Sequence, residues 1–188
     1  MARRQTPRPL GGFTLSVFFT EAEHRCQDAL IGAQLLQQGT SARNTYLIWF
    51  ALRSILISAA AISQLAGGRE GARATERATF RSALGIDRTC VLHNRAVRDN
   101  AEHIDDRIFR ARENGLLDSY VSYNVGPKNA FRFTPPQPFL LHFDDTVGIV
   151  SFWADEVSIP KVLAEIRRIL PLAEAASHQP FNVEGLER

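Results

Sequence analysis

Lysine is almost missing from this chain. Of its 22 basic residues only Lys128 and Lys161 are lysines, so the other 20 are arginines. Arginine carries a planar fork that grips phosphate or carboxylate through paired hydrogen bonds, so the bias would suit RNA as a partner. The bias is chain-wide, however, and a GC-rich coding sequence that replaces lysine everywhere is the better account. A net charge of +2 selects no partner. Cysteine is also scarce. Cys26 and Cys90 are the only two, and no metal-ligand spacing relates them. Cys26 falls on an apolar helical stripe as a small core residue does, so no disulfide is expected and a reducing cytoplasm is the expected location. No internal repeat or low-complexity segment is present. A phosphate-binding glycine loop is lacking too, because Gly67, Gly68 and Gly71 follow a helix rather than a strand.

Only one long apolar run exists, residues 46–65 (YLIWFALRSILISAAAISQL). Twenty residues can cross a bilayer. Arg53 in the middle third opposes this, at about 2.5–3.5 kcal/mol on insertion scales. Ser54, Ser58, Ser63 and Gln64 dilute the run further, so it reads as the central helix of a bundle and no membrane is expected. The basic start, MARRQTPRPLGG, is not followed by an uninterrupted apolar segment with a cleavage site, so no secretory signal is expected.

What is present is ordinary for a globular domain. The chain has 188 residues, 45% hydrophobic and 22% charged, enough to bury a core without staples. Residues 1–12 read as a disordered basic arm. A first helix is predicted over residues 14–38, where Leu15, Phe19, Ala22, Cys26, Ala29, Ala33 and Leu36 step by threes and fours, with Gly39 as its cap. A second starts after Thr40 or Ser41 and ends before Gly67-Gly68. A third covers residues 69–84, with Arg69, Arg73, Arg77 and Arg81 in one ridge. Such a ridge can track a phosphate backbone, although a solvated face paired with acids explains it more simply. A fourth covers residues 89–113 with the stripe Leu92, Val97, Ala101, Ile104 and Ile108. Strands are predicted over residues 139–143 and 147–153, forming a hairpin around Asp144-Asp145-Thr146. A last helix follows Ser158 and Pro160, and Pro171 ends or kinks it. The expected fold is mainly α, an antiparallel bundle of four helices (13–114) with a C-terminal β-hairpin and helix (115–176) packed on it and a frayed tail (177–188).

Chemistry concentrates on the fourth helix, in VRDNAEHIDDRIFR at residues 97–110. At ~100° per residue, Asp99, Glu102, His103, Asp106 and Arg110 lie opposite the apolar stripe, with Arg98 at the flank. Metal readings are incomplete. Glu21 and His24 form one E-x-x-H, but Asn100 stands where a second copy needs a glutamate before His103. His103 and Asp106 could share a metal only with a third ligand from elsewhere, and His93 points to a different side. Cys90 beside His93 lacks an orienting partner for thiol chemistry. No cofactor and no metal are expected.

Arg98 and His103, with Asp99 directly after the arginine, form R-x4-H followed by a polar residue. Here residues 14–114 resemble the HEPN superfamily, all-α domains with an R-x4–6-H signature. The run RDNAEHIDDR, after a helix ending ISQLAGG and a turn reading LGID, is similar to a group of bacterial HEPN-like proteins. The resemblance implies a metal-independent endoribonuclease with Arg98, His103 and Asp99 as catalytic residues. Asn100, Glu102, Asp106 and Arg110 form a second rank, and Arg73, Arg77 and Arg81 are candidate RNA contacts. The histidine would move protons while the ribose 2′-OH attacks phosphorus, and the arginine would stabilise the phosphoryl charge. Five residues separate the pair by ~140° on an ideal helix, so one chain need not close the site. The resemblance accordingly implies a homodimer. A toxin-like role would need a separate antitoxin or other partner protein. The alternative is a non-catalytic HEPN-like module that binds a protein or RNA, with His103 held by Asp99 or Arg107 and Arg98 by Glu102.

Overall fold

The computed structural model describes residues 11–67, 75–96, 99, 102–113, 122–130, 140–153 and 155–178. Two long helices organise them, α1 (Gly12–Ser41) and α2 (Thr45–Leu65). α1 buries Phe19, Ala22, Cys26 and Ala29 of the predicted stripe, leaves Leu15, Ala33 and Leu36 half-buried, and buries Gly32 besides. The helix does not stop at Gly39. It runs on to Ser41, and Gly39 is buried inside it. Small residues there let the helices approach closely: a Cβ at Gly32 would lie 2.9 Å from Ile55 Cγ1, and one at Gly39 would lie 3.0 Å from the Ile48 nitrogen. These contacts rise along α1 as they descend along α2, so the pair is antiparallel.

The cap of α2 also differs from expectation. Neither Thr40 nor Ser41 serves; the Asn44 side chain accepts from the Leu47 N–H at 3.1 Å. Arg43, at φ 50°, supplies the sharp turn before it. α2 buries Ile48, Leu52, Ile55, Leu56, Ala59 and Ile62 against its neighbours. It is long and apolar enough to cross a membrane, yet half of its most apolar stretch is buried inside the protein.

The other two helices of the expected bundle lie partly outside the described residues. α3 is described over Ala78–Leu84, ending at Gly85 with φ 59°. Residues 89–93 are not helical in the α sense. The Asp87 carboxylate accepts from both the N–H and the hydroxyl of Thr89 at 2.7 Å, and a 3-10 turn follows at Val91–His93. That turn drives Leu92 and His93 into the core, where the His93 ring bonds the Ser63 hydroxyl at 2.7 Å. Asn94, at ψ 88°, breaks the helical path and donates to the Glu156 carbonyl at 3.0 Å. The later helix, α4 (Ile104–Glu113), lies on the body through the half-buried Ile104.

The C-terminal part is a four-stranded sheet and one helix. The strands are β1 (Asn124–Val125), β2 (His142–Asp144), β3 (Ile149–Phe152) and β4 (Asp155–Ser158), in that spatial order. β2 and β3 are the predicted hairpin, with Phe143 opposite Val150. β4 extends it antiparallel and β1 joins β2 in parallel, and neither was expected. Ser158 caps α5 (Ile159–Ser177), which buries Val162, Leu163, Ile166, Ile169 and Ala173. Pro171 does not end α5; it sits inside the helix. One core cluster joins Phe143, Val150 and Phe152 of the sheet to these residues and to the α1–α2 pair. The molecule is therefore mainly helical, with a small sheet and a C-terminal helix. Among the described residues, α1, α2 and α5 carry most of the helix packing.

Candidate functional site

Three backbone hydrogen bonds between residues four apart underlie the polar face around His103. The Asp99 N–H donates to the Arg95 carbonyl (2.8 Å), that of His103 to Asp99 (3.1 Å) and that of Arg107 to His103 (3.1 Å). Ile104 and Ile108 are half-buried, while Glu102, His103, Asp106 and Arg110 are exposed on the other side and Asp99 is intermediate. Arg98 and Asn100 lie outside the described residues, so the arginine of the R-x4-H pair has no stated position. Asp99 and Glu102 both have contacts of their own. Among the described residues, no group hydrogen-bonds or ion-pairs with the His103 ring. Asp105 and Asp106 occupy the first turn of α4 and Arg110 and Arg112 the last, an arrangement that complements the helix dipole.

The arginine ridge divides. Arg73 lies outside the described residues, as does Arg69. Arg77 and Arg81 turn back onto the end of α2. Arg77 donates to the Gln64 carbonyl, with its guanidinium 5.5 Å from the Phe18 ring. Arg81 donates to the Ala66 carbonyl at 3.1 Å. The last carbonyls of a helix lack intrahelical donors, so both guanidinium groups serve as caps. Arg168 does the same for α3, donating to the Leu84 carbonyl at 2.9 Å and that of Gly85 at 3.1 Å. Its other edge holds Glu165 at 2.6 Å.

The remaining sequence candidates are occupied or inert. Burial pushes both thiols up to about 12, and the Cys90 thiol donates to Glu165 at 3.3 Å. Glu21 pairs with Arg25 at 2.6 Å. Among the described residues no three His, Cys, Asp or Glu side chains gather as metal ligands. In the sheet, burial lowers the pKa of His142, whose Nδ1 faces the Asn124 amide at 2.8 Å. Asp144 lies below the usual carboxylate range because the Thr146 hydroxyl and backbone donate to it.

One site was missed. Thr45, Tyr46, Trp49, Phe50 and Arg53 line a cavity of about 480 Å³, with Tyr123 as its far wall. Arg53 donates to the Tyr123 hydroxyl and its guanidinium lies 5.2 Å from that ring's centre. Trp49 meets Tyr123 edge-on at 5.5 Å, and its indole N–H is buried with no acceptor. Arg53 entered the sequence reading only as an obstacle to membrane insertion. The 46, 50, 53 spacing of exposed side chains was legible in α2, but the approach of Tyr123 from 70 residues away was not. Compared with protein-family models, with curated proteins and with solved structures, the chain finds no match.

Proposed function

We propose that this is a HEPN-like protein that cleaves RNA without a metal, as a cytoplasmic homodimer, using His103 and Arg98. The observation that carries the reading is the His103 ring, exposed on the outer face of the helix and held by no partner among the described residues. In this chemistry the ribose 2′-oxygen attacks the adjacent phosphorus and the bond to the next nucleotide's 5′-oxygen breaks. One imidazole form removes the 2′-OH proton and the other protonates the departing oxygen, leaving a 2′,3′-cyclic phosphate and a 5′-hydroxyl. Arg98 neutralises the charge that builds on the phosphoryl oxygens. Asp99, one helical turn before His103, fits an orienting role. Asn100, Glu102, Asp106 and Arg110 would line the approach.

A non-catalytic binding module is the second reading, and a specific observation favours it. The charges of α4 already have a structural use, acids at its first turn and arginines at its last. The deciding experiment incubates RNA with wild type, His103→Ala and Arg98→Ala in EDTA. Cleavage by wild type alone, absent on 2′-deoxy substrate, supports the nuclease. Equal cleavage by all three, or none by wild type at high enzyme concentration, rejects it.

A further inference from the structure

We propose that the cavity at the start of α2 binds a nucleotide, its base among the aromatic rings and its phosphate on Arg53. The inference deepens the RNA reading and rests on it only for the polymeric form of the ligand.

Three features of the cavity point to that chemistry. The first is aromatic exposure. Tyr46 is 91% exposed and Phe50 62%, on the same face of α2, and Tyr123 is 41% exposed opposite them. Aromatic faces stack with any base, which is how unpaired nucleotides are held without sequence preference. The second feature is the cation. Arg53 is fixed by the Tyr123 hydroxyl and ring, and no carboxylate forms an ion pair with it among the described residues. Its remaining N–H groups are suited to a phosphate, which they can grip in paired fashion. A purely apolar ligand would leave that charge unused. The third feature is that the wall is held in place against its own preference. Tyr123 has φ 54°, a left-handed conformation that is rare for a bulky residue. Trp49, only 4% exposed, backs it edge-on at 5.5 Å. The cavity volume of about 480 Å³ lies in the range of small-molecule sites.

The test uses the full chain carrying His103→Ala, so that cleavage cannot interfere, and Trp153→Phe, so that Trp49 alone reports by fluorescence. Ligands are adenosine 5′-monophosphate, adenosine, inorganic phosphate and a six-nucleotide single-stranded oligoadenylate. The nucleotide should saturate the signal, and adenosine should bind about tenfold more weakly for want of the charged contact. Arg53→Gln should weaken the nucleotide by about tenfold and leave adenosine unchanged, with Arg53→Lys between. Phe50→Ala should weaken both. Binding of the oligonucleotide with the same dependence on Arg53 supports the proposal with an RNA strand as the source. Binding of the mononucleotide alone supports it with a free nucleotide as the source. The proposal is overturned if neither nucleotide form saturates, if phosphate competes as well as the nucleotide, or if a folded Arg53→Gln protein binds like its parent. Since binding is read without His103, failure here is separate from failure of the cleavage assay.

Discussion

Gly39 and Gly32 give a test in which two effects of opposite sign compete. Both lie inside α1, where glycine costs about 0.5–1 kcal/mol relative to alanine. Propensity alone therefore predicts that Gly→Ala stabilises at either site. Packing predicts otherwise. At Gly39 the new methyl would sit 3.0 Å from the Ile48 nitrogen and 3.3 Å from the Leu47 carbonyl carbon, both backbone atoms of the first turn of α2. That turn is pinned by the Asn44 cap, so relief requires α2 to move. Overpacking costs about 1–3 kcal/mol, and a clash with fixed backbone falls in the upper part of that range, about 2–3, leaving Gly39→Ala a net loss of about 1–2.5 kcal/mol after the propensity gain. At Gly32 the nearest atom is the Ile55 Cγ1 at 2.9 Å, on a fully buried β-branched side chain with little freedom to turn, and the Ala51 carbonyl oxygen lies at 3.3 Å. Gly32→Ala should therefore lose about as much as Gly39→Ala. Urea unfolding followed by far-UV circular dichroism reads either loss as a shift in midpoint at constant slope. A Gly39→Ala protein as stable as wild type, or more so, would refute the close approach of the two helices.

Two further outcomes follow from polar contacts. Arg168→Ala removes both donors from the Leu84 and Gly85 carbonyls and should cost about 1–2 kcal/mol in the same assay, a modest figure because the side chain is partly exposed. Arg168→Lys should recover only part, since one ammonium cannot span two carbonyls and Glu165; full recovery would show that charge alone matters. His142 should make stability depend on pH. Its ring is fully buried and its folded pKa is lowered, chiefly by burial, so the unfolded chain takes up the proton first. Stability is then complete above the unfolded value, about 6.5, and declines as pH falls below it toward the folded value. Asp144, Glu156 and Glu165 have folded pKa values lowered by their donors, so their contribution survives until pH falls below about 4. His142→Gln should flatten the upper part of this curve and spare the lower part; an unchanged slope between about pH 6.5 and 5 counts against the assignment.

The parts of the fold that were legible are those where local pattern and burial agree. The α1 stripe, the apolar α2 and the α5 face with its Ser158 cap are all long enough for a period to show. What escaped depends on distant partners. β4 reads DEVS and buries only Val157, so no alternation marks it. β1 is two residues whose pairing with β2 is a tertiary event. Leu92 seemed to extend the α4 stripe because it is apolar at a helical interval. It is buried by a 3-10 turn instead, because Asp87 fastens Thr89 and Ser63 receives His93. Pro171 was expected to end or kink α5; it lies exposed inside the helix, between the buried Ile169 and Ala173. At the candidate site, the outward set Glu102, His103, Asp106 and Arg110 followed from helical periodicity. The aromatic cavity did not, because Tyr123 reaches it through the third dimension.

The capping arginines have a consequence for the order of assembly. α3 is two turns long, too short to persist alone in water. Its own Arg77 and Arg81 close the end of α2, and Arg168, from a helix 84 residues further on, closes the end of α3. Each closure needs a helix end already in place. α2 packs on α1 without the Arg168 contact, whereas α3 gains its cap only once the last described helix has docked. A ribosome-bound chain that has emerged only as far as the sheet holds α2 and the residues of α3, but lacks the side chain that locks α3 shut.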